Sequence, residues 1–192
     1  MTTREPIDLD ISLIVSQKVN LSAVERRCDT LMKRRSVKKR YQADWLLKAI
    51  EFMDLTTLAG DDTPGRVARI CHKARTPVRN DMLDYLQIPK PFSVAAVCVY
   101  PELIRTAKSA LEQSDIGLAS VATGFPTGLV PERTKISEIN AAIRNGASEI
   151  DVVINRNKVL TANWVSLYND IRAYKKACGL LHLKVIIGAG DL

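Results

Sequence analysis

Histidine, cysteine and aromatic residues are scarce in this chain of 192 residues, and each scarcity closes off a class of chemistry. There are two histidines, His72 and His182, and four cysteines, Cys28, Cys71, Cys98 and Cys178, far apart and without a C-x-x-C pair. Structural zinc sites draw on clustered ligands, so no metal is expected, and scattered thiols fit a reducing, cytosolic setting. Long apolar runs are missing too. The longest uncharged stretch, residues 116–131, is broken by Gly and Pro and falls short of the roughly 20 apolar residues that cross a bilayer. The first ten residues carry Arg4, Glu5, Asp8 and Asp10 and offer no apolar core for a secretory leader. These gaps predict a soluble cytoplasmic protein with no membrane span, no metal and no repeat architecture.

What is present is unevenly spread. The chain is 46% hydrophobic and 26% charged, ordinary for a globular protein, with a net charge of +7. Residues 1–48 hold 11 Lys and Arg against 6 Asp and Glu, a balance of +5; the other 144 residues hold 17 against 15, or +2. The asymmetry predicts a basic helical extension over residues 1–47 and a main domain over residues 48–192. The basic excess peaks in Lys33-Arg34-Arg35-Ser36-Val37-Lys38-Lys39-Arg40, a pattern that serves as a nuclear address, a nucleic-acid contact or a solvated linker. No aromatic side chain interrupts that run, which argues against single-strand binding by base stacking, and nucleic acid is not the expected partner.

The main domain reads as strands alternating with helices. Ser22-Ala23-Val24-Glu25 has the form of a capping box and predicts a helix over residues 22–34 in the extension. Strands are expected at residues 53–58, 94–100, 118–123, 148–155 and 183–187. Between them, Thr63-Pro64 predicts a helix start, a short helix falls at 81–86, Pro101-Glu102 opens another, and two longer helices cover 133–145 and 162–177, ended by Gly146 and Gly179. Five apolar strands joined by helical crossovers predict a parallel sheet. Two architectures satisfy the pattern: a doubly wound five-stranded sheet, complete at this length, or about five of the eight units of a (β/α)8 barrel.

Several strands carry polar residues inside apolar runs. Asp151 sits within Ile150-Asp151-Val152-Val153-Ile154, where an unpaired carboxylate would lose several kcal/mol of solvation, so it needs a cation, a solvated cavity or a chemical role. Asp54 and Thr56 lie in the first strand, Cys98 in the second, Thr123 at the end of the third and Lys184 in the fifth. Alone, these residues allow either a lysine and carboxylate site or a plain Lys184–Asp151 ion pair.

In order along residues 20–192, several segments form a set: Phe52-Met53-Asp54-Leu55-Thr56-Thr57-Leu58, Gly60-Asp61-Asp62-Thr63, Ala95-Ala96-Val97-Cys98-Val99-Tyr100-Pro101, Gly124-Phe125-Pro126, Glu149-Ile150-Asp151-Val152-Val153-Ile154-Asn155 and Leu183-Lys184-Val185-Ile186. The set resembles the deoxyribose-phosphate aldolases in their longer animal-type form. That resemblance implies a (β/α)8 barrel and a class I aldolase. Such an enzyme cleaves 2-deoxy-D-ribose 5-phosphate to acetaldehyde and D-glyceraldehyde 3-phosphate through a lysine Schiff base, with no cofactor. It implies that Asp151 relays protons at the Schiff-base carbon while Asp54, Thr56, Cys98 and Lys184 line the pocket. It also implies a phosphorylated sugar as the small-molecule partner and allows a homo-oligomer. The family's imine lysine belongs to a Lys-Thr-Ser-Thr-Gly motif on a sixth strand, and the chain contains no such motif. The resemblance therefore leads to two expectations: five of eight barrel units, and an isolated chain that is inactive or acts by binding a partner or nucleic acid.

Overall fold

The computed structural model describes residues 7–192; the first six residues, with the Arg4 and Glu5 of the leader argument, lie outside the described residues. The chain divides into two compact units, Met1–Leu46 and Leu47–Leu192. The first holds α1 (Ile11–Val15), α2 (Leu21–Lys33) and the start of α3 (Lys39–Glu51), none of which has a buried residue. The expected capping box at Ser22 does not form. Asn20 caps α2 instead, its side-chain oxygen accepting from the Ala23 N–H at 3.1 Å and from the Ser22 hydroxyl at 3.0 Å. Asn is as good an N-cap as Ser, and capping two residues earlier brings Leu21 into the helix. Residues 39–51 form α3, which starts within the stretch expected as a helical extension and runs on to the edge of the first strand.

The second unit is built on β1 (Asp54–Thr56), β2 (Ala96–Val99), β3 (Gly117–Ala122), β4 (Glu149–Val153) and β5 (His182–Ile186). Its helices are α4 (Pro64–Arg75), α5 (Asn80–Tyr85), α6 (Ile104–Ala110), α7 (Glu132–Asn145), α8 (Arg156–Leu160) and α9 (Trp164–Cys178). Thr63 caps α4 with Pro64 at its first position, as its sequence predicts. Gly146 ends α7 with φ at +107°, a left-handed cap that side chains resist. The helix expected over 162–177 forms as α9, capped by Asn163; α8, capped by Asn155, is a further short helix ahead of it that the sequence does not predict.

All strand pairs are parallel, and the order is β1-β2-β3-β4-β5. A doubly wound sheet reverses its order at a switch point; this one does not, and its helices gather on one face. Val97, Val99, Leu118, Ala122, Ile150 and Val152 project to that face and meet Val67 and Cys71 of α4, Ile104 and Ala107 of α6, Ile139 and Ala142 of α7 and Tyr174 and Cys178 of α9. The result is five consecutive units of a singly wound barrel, the second of the two architectures. Strand alternation sends the remaining side chains to the opposite, inner face, and the register aligns them: Asp54 with Ala96, Thr56 with Cys98, Val121 with Asp151, Asp151 with Lys184. Among the described residues no helix is long and apolar enough to cross a membrane.

Candidate active site

The inner face is curled, and a single ion pair shows by how much. Four strand spacings separate β1 from β5, about 19 Å in a flat sheet, beyond the reach of any side-chain pair. Yet Lys184 of β5 donates to Asp54 of β1. The sheet therefore wraps into an arc that brings its first and last strands to the same ammonium group. Lys184 Nζ also lies 3.1 Å from Glu149 Oε2 and 3.4 Å from Asp151 Oδ1. Three carboxylates from β1 and β4 thus surround one cation.

Asp151 is the most enclosed of the three, only 8% exposed. Its Oδ2 accepts from the Cys98 thiol at 3.5 Å; its Oδ1 has the Lys184 contact but no aligned hydrogen bond. Burial pushes the Asp151 carboxyl above the usual carboxylate range, against the opposing pull of Lys184. Cys98 is 2% exposed, and burial, followed by the adjacent Asp151 charge, pushes its thiol up to about 12. Lys184 responds the other way. Burial would lower its pKa, but Asp54, Asp151 and Glu149 together outweigh that and hold the ammonium above the usual lysine range. At neutral pH the site therefore contains a fixed cation, a protonated thiol and one carboxyl displaced toward the range useful for proton transfer.

Thr56 is on the same face, in register with Cys98, but stays outside the cluster. It is exposed and its hydroxyl donates to the Asp54 carbonyl at 3.1 Å. The structure thus gathers Asp54, Cys98, Asp151 and Lys184 into one constellation and leaves Thr56 beside it. Glu149 is the member that sequence reading did not assign. The signal was there: it precedes Asp151 by two, which puts both on one face of a strand. Toward the carboxyl ends of the strands the inner face turns apolar, with Leu58, Tyr100, Phe125 and Ile186 packed on Cys98, Ala119 and Val121. Tyr100 and Phe125 meet edge to face, their centroids 6.2 Å apart.

The loop after β3 is held rigidly at this end. Thr123 adopts φ of +66°, rare for a β-branched residue, and its buried hydroxyl accepts from the Val153 N–H at 2.8 Å while facing the Val153 carbonyl at 2.9 Å. It stands in for a backbone rung between β3 and β4. Gly128, at φ of +71°, lies so close to β4 that a Cβ there would fall 2.5 Å from the Ile154 carbonyl oxygen. Gly124 N–H donates to Glu138 of α7 at 2.8 Å. Arg156 completes the framework, donating to the Pro126 carbonyl at 3.3 Å and pairing with Asp191 at 3.3 Å. A hollow of about 630 Å³, lined by Arg105, Lys108, Asn145 and Ser148 among others, opens elsewhere, beside the start of β3 and the turn before β4, and contains none of the cluster residues. Among the described residues no group of three His, Cys, Asp or Glu is arranged to hold a metal ion.

Comparison with known proteins agrees with this geometry. Residues 48–190 match the profile of the DeoC/LacD family aldolases. The chain is 50% identical to the human deoxyribose-phosphate aldolase over 188 residues, covering 96% of this chain and 59% of the human protein. The mouse deoxyribose-phosphate aldolase matches at the same identity and coverage. The chain thus spans about three-fifths of the length of these relatives. Among solved structures, a Coccidioides immitis protein assigned as a deoxyribose-phosphate aldolase superposes with a TM-score of 0.64 at 28% identity, over 76% of this chain and 51% of that one. The tetrameric deoxyribose phosphate aldolase of Aeropyrum pernix superposes at 0.56 and 21% identity, over 76% and 55%.

Proposed function

The chain belongs to the DeoC/LacD family of aldolases, and on that footing we propose that its inner face supplies the acid–base part of a deoxyribose-phosphate aldolase site. The reaction is the reversible cleavage of 2-deoxy-D-ribose 5-phosphate to acetaldehyde and D-glyceraldehyde 3-phosphate. It proceeds through an imine between a lysine amine and the sugar aldehyde, formed with loss of water. When the carbon–carbon bond breaks, its electron pair flows into the protonated C=N, and the departing hydroxyl-bearing carbon becomes the second aldehyde as its hydroxyl gives up a proton. The carbon left on the imine then takes up a proton. Asp151 is the group in this chain that exchanges those protons, through a bound water, because its carboxyl is displaced toward neutrality.

The observation that carries this reading is the position of Lys184 among three carboxylates. An amine attacks a carbonyl only when neutral, and this one is held as a cation. Lys184 therefore orients Asp151 and balances its charge, and is not the amine that forms the imine. Asp54 and Glu149 hold Lys184 in turn, and Cys98 fills the wall beside Asp151. Self-association, which the A. pernix protein shows for itself, is proposed for this chain as well.

The test mixes this chain with a polypeptide carrying the part of the human relative that it does not span. Reconstituted cleavage of deoxyribose 5-phosphate is expected, and Asp151→Asn in this chain should lower it by about 100-fold, the low end of what general acid–base groups contribute. Cleavage by the Asp151→Asn mixture at the wild-type rate would overturn the assignment.

A further inference from the structure

The stretch of residues 33–40 carries six cations and no acid. Among the described residues none of the six forms an ion pair with a carboxylate. In sequence the run lacks aromatic residues, which argued against base stacking. In space it does not. The chain turns into α3 at Lys39, and a hollow of about 310 Å³ forms between Arg34, Arg35, Ser36 and Val37 on one side and Gln42, Trp45 and Leu46 on the other. Trp45 is 69% exposed and Tyr41, one helical turn earlier, is 60% exposed. Residues four apart on a helix share a face with their Cβ atoms about 5–6 Å apart. The Arg40 guanidinium lies 5.0 Å from the Tyr41 ring centroid.

We propose that residues 33–46 form a binding groove for single-stranded nucleic acid, with Arg34 and Arg35 on the phosphates and Trp45 and Tyr41 as platforms for two neighbouring bases. Each half of the arrangement has its own physical reason. Cations left without carboxylate partners gain by displacing condensed counterions from a phosphate backbone. Arginine, which lines the hollow, bonds phosphate oxygens with a planar fork of donors that lysine lacks. Large aromatic faces open to water accept stacked bases with little dependence on sequence. An acidic peptide would use the same cations but has no use for two aromatic faces one turn apart. The proposal is independent of the aldolase site, because every residue it uses precedes Leu47.

The test is fluorescence anisotropy of the full chain with labelled single-stranded RNA and single-stranded DNA of 20 nucleotides, a duplex of the same length, and an acidic peptide as competitor. Binding to one or both single strands is expected, several-fold tighter than to the duplex, and steeply weakened by salt. The RNA and DNA arms separate the two sources of the same chemistry. Trp45→Ala should weaken binding about 10-fold with the salt slope unchanged. Arg34→Gln with Arg35→Gln should weaken it and reduce the slope by roughly two. Arg172→Gln with Lys176→Gln, exposed charges on α9, should change nothing. Trp45 is exposed, so circular dichroism should show the variant folded. Three results would each overturn the groove: no binding to either strand, binding indifferent to Trp45→Ala, or complete displacement by the acidic peptide at equal concentration.

Discussion

At the scale of single residues, the inner face is a problem in charge balance. Three carboxylates share one ammonium, and burial pushes the carboxyl of the most enclosed, Asp151, above the usual carboxylate range. Its native carboxyl binds a proton more tightly than the unfolded one, so its contribution to stability falls as pH rises from the ordinary carboxylate range through the native value. Urea unfolding of the wild type and Asp151→Asn at pH 4 and pH 7 checks the sign. The stability of wild type relative to the variant should be greater at pH 4. A larger advantage at pH 7 would mean that ion pairing, not burial, governs Asp151. Cysteine chemistry offers a second check at this scale. Cys28 is exposed, whereas Cys71, Cys98 and Cys178 are buried with their thiols pushed up by burial, Cys98 to about 12. Iodoacetamide at pH 8 should label Cys28 first, with the other three protected in the folded chain and exposed in urea; early labelling of Cys98 would contradict the enclosed site.

At the scale of elements, the loop after β3 shows most clearly how local geometry is held. Thr123→Val removes the hydroxyl that satisfies the Val153 N–H and should cost about 1–3 kcal/mol, the penalty for an unsatisfied buried donor. Thr123→Ser keeps the hydroxyl and should recover most of that loss in the same thermal unfolding measurement. This bond also marks the limit of what the sequence makes legible. All five strands and α4, α5, α7 and α9 were readable from apolar runs, Thr63-Pro64 and the glycines at 146 and 179, because those signals are local. The third-strand threonine looked like any strand residue, and its left-handed backbone depends on β4, thirty residues on. The bounds of α3 were not legible because it buries no residue and so has no apolar face to mark it, while Asn20 outcompeted Ser22 for a cap that either could have made.

At the scale of the molecule, strand order decided what strand content could not. Five βα units allow either winding, and only the unbroken order from β1 to β5, with helices on one face, gives the open barrel. The same curl creates the site, since Asp54 and Lys184 are 130 residues apart in sequence and meet only because the sheet wraps. Strand alternation could place Asp54, Glu149, Asp151 and Lys184 on one face in advance; it could not say that they would converge on a single ammonium. The central claim is that Lys184 is a fixed cation beside Asp151 and not the imine-forming amine. It is tested most directly by incubating the chain with 2-deoxy-D-ribose 5-phosphate and borohydride, then measuring intact mass and mapping the Lys184 peptide. The account predicts unmodified mass and an unlabelled Lys184 peptide. A stable adduct on one specific lysine with turnover, and above all one on Lys184 that disappears in Lys184→Met, would contradict it.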